Sequence, residues 1–241
     1  MNRLLPIVIL AGGLATRLRP ITETIPKALI LLNGEPFINH QLRLLLRHGI
    51  RDVVLCVGYL SDQIVAHVKD GRRFGLRVQY AYDGPALLGT GGAIKNALPY
   101  LPESFFVLNG DSYLPCDYAS IQLAFQKQQK QGLMTVYHNQ GKWDTSNVEY
   151  KNGKIIAYHK INRTPDMQYI DYGVSILTQS ACQRIPDGTY DLSLLHQDLL
   201  KNDQLGAFEI HERFYEVGSL AGIKDLDYYL AHQMRECVTV E

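Results

Sequence analysis

Four cysteines in 241 residues, at positions 56, 116, 182 and 237, form no C-x-x-C pair and no Cys/His cluster with zinc spacing. A disulfide scaffold and a structural zinc site are therefore not expected, and the thiols read as reduced core or surface groups of a cytoplasmic protein. Charge of one sign is also lacking. Lys plus Arg and Asp plus Glu are 24 each, so there is no broad basic face of the kind nucleic acid requires. No apolar run approaches the roughly 20 residues that cross a bilayer. The first residues, MNRLLPIVIL, pair a basic residue with an apolar run but lack a small-residue cleavage site, so they read as a strand and not as a signal peptide. Neither G-x-x-x-x-G-K-[ST] nor G-x-G-x-x-G occurs near the first strand, which sets aside the Walker A loop and the dinucleotide fingerprint. No nucleic acid and no membrane is expected as a partner, and homodimerisation is left open.

The most informative stretch is Leu10 to Lys27, LAGGLATRLRPITETIPK. The apolar run Leu4 to Leu10 predicts a buried parallel strand. It ends in Ala11-Gly12-Gly13, where adjacent glycines let backbone N–H groups approach a ligand. Thr16, Arg17, Arg19 and Lys27 follow. Bare backbone donors, a hydroxyl and cations together suit a polyphosphate; a tight turn with a solvated basic face is the plainer alternative.

Downstream, strands are predicted at Val53–Val57, Arg77–Tyr82, Phe105–Leu108 and Leu133–Tyr137. Helices are predicted at Ile38–His48, from Ser61 as cap to about Val68, from about Ala93 to Leu98, and at Tyr118–Gln131. This alternation predicts an α/β fold with a mostly parallel, Rossmann-like sheet and helices on both faces. Ligands then sit at the carboxyl ends of strands. Two further loops fall there. Asp83 to Gly92 carries three glycines in four residues, Gly89, Gly91 and Gly92, which free the backbone to pass close to something flat or simply make a flexible loop. Asn109-Gly110-Asp111 puts a carboxylate at the tip of a buried strand, as a helix cap or as a hard oxygen ligand for Mg²⁺.

After about residue 135 the pattern changes. Runs on either side of Asn152-Gly153 predict a hairpin, and Asp191 is the expected cap of a helix to Lys201. His196, on that helix, reads as structural or solvated. Short strands at Gly206–Ile210 and Phe214–Val217 precede a last helix, Leu220–Met234. The chain is expected to be one domain, with a lobe of about 1–134 and a small antiparallel lobe of about 135–241 facing it.

The pattern L-A-G-G-x-x-T-R-L-x-P-x-T-x-x-x-P-K closely resembles the signature of sugar-1-phosphate nucleotidylyltransferases, with Ala15 where the family usually has Gly. The resemblance is dense in the first 115 residues and sparse after. It implies an enzyme that joins an NTP and a sugar 1-phosphate into an NDP-sugar and pyrophosphate, with Mg²⁺. It also implies a cytoplasmic enzyme that supplies cell-surface polysaccharide synthesis. The nucleotide would be held by Leu10, Ala11, Gly12, Gly13, Thr16, Arg17 and Asn109, with Asp83 and Gly89 on the base side. Lys27 would neutralise charge at the α-phosphate, with Arg17 and Asp111 beside it.

In the second lobe Lys160 matches the family lysine that binds the sugar-linked phosphate, although His159 replaces the usual acid. Asp171 and Gly173 match positions near the sugar, and Arg163 is a weaker phosphate candidate. Glu216 stands where the family has the second metal carboxylate, an aspartate; the added methylene shifts its oxygens by about an ångström, which leaves Asp111 as the main metal ligand. Asp83 favours guanine, with mannose or heptose 1-phosphate. Alternatives are a uridylyltransferase of an amino-sugar phosphate, a nucleotide-sugar sensor without chemistry, and a cytidylyltransferase for a polyol or amino-alcohol phosphate. No C-terminal left-handed β-helix is expected, since no hexapeptide repeat is visible.

Overall fold

The computed structural model describes residues 3–238. The chain opens with β1 (Ile7–Leu10), whose first three residues are fully buried, as a strand covered on both faces requires. Leu4 and Leu5 pack against the core but precede the strand. A short hairpin of β2 (Leu31–Leu32) and β3 (Glu35–Pro36) turns at Asn33-Gly34, both residues having positive φ. It leads into α1 (Phe37–Arg47), where Ile38, Leu42 and Leu45 share the buried stripe and Gly49 closes the end at φ +88°. Then follow β4 (Asp52–Val57), α2 (Ser61–Val68), β5 (Arg77–Tyr82), α3 (Gly89–Ala97), β6 (Ser104–Asn109), β7 (Ser112–Tyr113) and α4 (Tyr118–Gln128). The rest is β8 (Gly132–Tyr137), the hairpin β9 (Val148–Lys151) and β10 (Lys154–Tyr158), β11 (Ile170–Thr178), the single turn α5 (Gln179–Cys182), α6 (Leu192–Lys201), β12 (Leu205–Ile210), β13 (Tyr215–Glu216) and α7 (Leu220–Val238).

Seven strands form one sheet in the order β12-β8-β11-β6-β1-β4-β5. All neighbours run parallel except at β11, which is antiparallel to both β6 and β8. One face carries Ile7, Ile9, Leu42, Leu55, Phe106 and Leu108. The other carries Val8, Val54, Ile94, Phe105, Val107 and Leu195. A third cluster, including Phe37, Tyr113, Val217, Leu226 and Leu230, packs the start of α7 against the body. Truncating a fully buried anchor such as Leu42 would cost on the order of 2–5 kcal/mol.

Several sequence expectations change here. Ser61 does not cap α2: Leu60 holds the cap position at φ +52°, with no side-chain bond. The glycine turn expected to precede α3 is its first turn, and α4 ends three residues early, where Gln129 at φ +49° closes it. Beyond residue 135, β11 and β12 join the central sheet beside β8, while β9 and β10 form an antiparallel hairpin and β13 pairs antiparallel with β7. Among the described residues no helix is long and apolar enough to cross a membrane.

Candidate active site

Leu10 pairs with Cys56 on one side and with Asn109 on the other. That register, carried from β4 to β5 by the Cys56–Ala81 pair, aligns the carboxyl ends of β1, β5 and β6, where the chain leaves the sheet in three loops. A cleft of about 360 Å³ opens there, the place expected of a ligand site in an open α/β sheet. Its walls include Leu10, Ala11, Gly12 and Gly13 from the first loop, Asp83 and Gly89 from the second, Asn109 and Asp111 from the third, and Lys27 and Lys160.

The first loop is held from behind. Leu18 is buried, the Thr22 hydroxyl donates to the Ala15 carbonyl at 2.9 Å, and the Tyr59 hydroxyl donates to the Glu23 carbonyl at 2.9 Å. Ala15 lies in the left-handed region at φ +49°, a conformation that glycine would hold without steric cost. Among the described residues no backbone carbonyl accepts the N–H of Gly12 or Gly13, and a Cβ on Gly13 would meet nothing within 4 Å. Those donors are free for an anion. Thr16 and Arg17 begin a 3₁₀ turn just outside the cleft wall.

The third loop turns as it does because residue 110 is glycine: a Cβ there would stand 2.1 Å from the Leu10 carbonyl oxygen. The turn presents Asp111, whose carboxylate accepts from Lys27 Nζ at 2.9 Å. Asp111 does not cap a helix; Asp117 does, accepting from Ala119 N–H at 2.9 Å. Behind the turn, the Gln41 amide donates to the Ser112 carbonyl at 2.8 Å. Pairing of β7 with β13 sets Glu216 opposite Ser112. A Cβ on Gly218 would lie 2.7 Å from Arg17 Nη2, 2.7 Å from Glu216 Oε2 and 3.2 Å from Asp111 Oδ2. One cation and two carboxylates thus converge around a residue with no side chain.

The Glu216 carboxylate is not idle. It accepts from the Gly218 N–H and, at 2.6 Å, from the Ser219 hydroxyl; Ser219 in turn accepts from Gly222 N–H at 2.9 Å at the start of α7. The extra methylene folds the acid back onto a helix N-terminus, where a negative charge is stabilised. Among the described residues no three Asp, Glu, His or Cys side chains gather as a self-sufficient metal site. Asp111 borders the cleft and Glu216, across Gly218 from it, does not; this still fits Mg²⁺, which is commonly held by one or two carboxylates plus substrate phosphates.

On the second loop the reading of free glycines is corrected. They face protein: Gly91 and Gly92 N–H groups donate to the Tyr190 carbonyl at 2.8 and 3.3 Å, and a Cβ on Gly92 would stand 2.5 Å from the Gly188 carbonyl. Gly89 still borders the cleft. Asp83 accepts Leu88 N–H through Oδ2 at 3.2 Å, while its Oδ1 is buried without a partner. Burial pushes its carboxyl above the usual range against the pull of that bond.

Lys160 pairs with Asp191 at 2.9 and 3.2 Å. Arg163 turns back to its carbonyl at 3.0 Å. Asp171 and Gly173 do not border the cleft. Asp171 accepts from the Tyr158 hydroxyl at 3.3 Å and from Gly173 N–H at 3.1 Å, and Gly173, at φ +103°, occupies the bulge of β11 beside Asn109 and Ser112. Sequence reading missed Cys56, Leu87, Thr90 and Ala93 as wall residues; they are ordinary apolar or small side chains whose only signal is tertiary. The Cys56 thiol is buried against the Ala93 carbonyl and burial pushes it far above the usual range, while those of Cys116 and Cys182 are pushed up to about 12, so none is a nucleophile. The Cys237 side chain lies outside the described ones.

The nucleotidyl transferase family model matches residues 7–147. The chain is 37% identical over 116 residues to the D-glycero-alpha-D-manno-heptose 1-phosphate guanylyltransferase of Campylobacter jejuni, spanning 48% of this chain and 52% of that one. It is 30% identical over 202 residues to the UTP–glucose-1-phosphate uridylyltransferase of Synechocystis, spanning 77% and 52%. The chain thus covers about half the length of these curated relatives. The crystal structure of HddC from Yersinia pseudotuberculosis superposes with a TM-score of 0.78 at 26% identity, over 95% of this chain and 99% of that one.

Proposed function

The chain belongs to the nucleotidyl transferase family, and from that premise we propose that it transfers a nucleotidyl group from an NTP to a sugar 1-phosphate, releasing pyrophosphate. The observation that carries this reading is one cleft bordered at once by free backbone donors, by Lys27 with Asp111, and by a second cation, Lys160. Two polyanions have to meet for this reaction, and these groups suit both.

The Gly12 and Gly13 N–H groups and Arg17 take the triphosphate; Lys27 neutralises the α-phosphate; Lys160 holds the phosphate of the sugar. That phosphate is already anionic, so its oxygen attacks the α-phosphorus in line without a general base, and pyrophosphate departs opposite. Alignment and charge neutralisation then supply the rate. Asp111, with Glu216 as a second donor, would hold Mg²⁺, which when bound neutralises and orients phosphate oxygens.

Guanine is the favoured base. Asp83 borders the cleft, and its carboxylate can accept N–H donors of a base. Guanine offers N1–H and N2–H together where uracil has one N–H, and the Campylobacter jejuni relative is a guanylyltransferase. Mannose or heptose 1-phosphate is the matching acceptor, with the product supplied to cell-surface polysaccharide synthesis in the cytoplasm. A UTP-dependent activity is the second reading, on the likeness to the Synechocystis uridylyltransferase.

Pyrophosphate release with the four NTPs, Mg²⁺ and a panel of sugar 1-phosphates tests both. GTP with mannose or heptose 1-phosphate is expected to be the fastest pair. Fastest turnover with UTP would establish the second reading. Nucleotide binding without pyrophosphate from any pair would refute the transferase.

A further inference from the structure

Residues 188–192 run from a loop into α6 and touch both sides of the cleft. Tyr190 donates its N–H to the Leu88 carbonyl at 2.9 Å, and its own carbonyl accepts from Gly91 and Gly92. The Thr189 hydroxyl donates to the Leu87 carbonyl at 3.0 Å, and Leu192 N–H donates to Thr90 Oγ1 at 2.8 Å. A Cβ on Gly89 would stand 2.8 Å from the Tyr190 carbonyl oxygen, and one on Gly91 2.6 Å from the Tyr190 ring. This strap is therefore locked to the first turn of α3 with no room for a side chain between them.

The next residue is Asp191. Its Oδ1 accepts Ser193 N–H at 2.8 Å, which caps α6, and both its oxygens take the Lys160 ammonium. The cap fixes where the carboxylate points, and the carboxylate fixes the lysine. Without it Lys160 is a half-exposed, four-carbon stem that must give up rotamer freedom on being held. An ammonium has three N–H donors; two face Asp191, and the third is left for a phosphate. From this we infer that Asp191 is a positioning residue of the transfer reaction: it aims Lys160 into the cleft and, through Tyr190, sets it at a defined distance from the base-side turn at Gly89. The inference rests on the reading of the cleft given above.

Asp191→Asn is the diagnostic variant, because Asn caps a helix as well as Asp while the charge facing Lys160 is lost. The KM for mannose 1-phosphate, or for whichever member of the panel turns over fastest, is expected to rise about three- to tenfold, in the range set by losing one half-exposed charged contact. The KM for the NTP and the melting temperature should stay as in the parent. A second readout needs no turnover. With biosynthetically ¹³C-labelled lysine, the Lys160 Cε signal, assigned through Lys160→Arg, should move in Asp191→Asn. An unchanged sugar-phosphate KM, a KM for the NTP that rises in step, or an unmoved Lys160 signal in an active enzyme would overturn the inference alone. A parent protein that turns over no NTP would instead remove the reaction it serves.

Discussion

Lys27 and Asp111 are 84 positions apart in the chain and 2.9 Å from each other in an ion pair. Side chains of both are mostly shielded, 20% and 28% exposed, so each charge is felt in the cleft more strongly than a surface charge would be. Lys27→Ala and Asp111→Ala are each expected to lower turnover by at least about a hundredfold, the scale of one lost charge-stabilising contact. Steady-state pyrophosphate release, with melting curves to show that the fold persists, checks this; full activity in either variant would refute the role given to it. In the linear chain Asp111 stands out as an aspartate at a strand tip, whereas the role proposed for Lys27 comes from the family resemblance of the long motif that it ends. The second bond partners of Glu216 were not. A glutamate in place of an aspartate says how far its oxygens reach, but not that Gly218 and Ser219 would be waiting for them.

At the scale of elements, α6 shows how a helix can be read correctly and still hold something unforeseen. Its cap and its Leu192, Leu195 and Leu199 stripe follow from the sequence. His196, on the same helix, is 2% exposed with both ring nitrogens unpartnered, packed edge-on against Tyr158. Burial is the main reason its imidazole is held below the usual range, with Lys160 adding to the effect and Asp171 and Asp191 opposing it.

The sign follows from the neutral form being the folded one. At neutral pH the ring is uncharged folded or unfolded, and stability is full. As pH falls below about 6.5, the unfolded chain takes a proton that the folded one refuses, and stability is lost at up to about 1.4 kcal/mol per pH unit. Melting temperatures between pH 7.5 and 5 should therefore fall, and a His196→Leu variant should fall less steeply. His48 and His67 are held low by burial in the same way, so the difference between parent and variant, not the parent slope, is the measurement. Equal slopes would mean that His196 titrates normally.

For the whole molecule, the decisive feature is that β11 lies between β6 and β8. The motif-rich first half of the chain cannot close its own sheet, because Phe105, Phe106 and Val107 of β6 take their partner from residues 174–178. A fragment of residues 1–134 is thus expected to lack a cooperative thermal transition, whereas the full chain should melt in one step. A fragment that unfolds cooperatively by circular dichroism would show two independent units instead. Strand–helix alternation stops near residue 135 in the sequence, but that the later strands β11 and β12 complete the central sheet is a matter of long-range pairing, which periodicity does not encode.

The sequence by itself determined the buried parallel strands, the helix stripes and the chemistry of the loops, because each of these depends on residues a few positions apart. Tertiary structure alone decided that Gly91 and Gly92 face Tyr190, that Glu216 is bonded to Gly218 and Ser219, and that one carboxylate at residue 191 serves both a helix and Lys160. These depend on strand order and register, which bring distant segments within hydrogen-bond reach and which no local pattern carries.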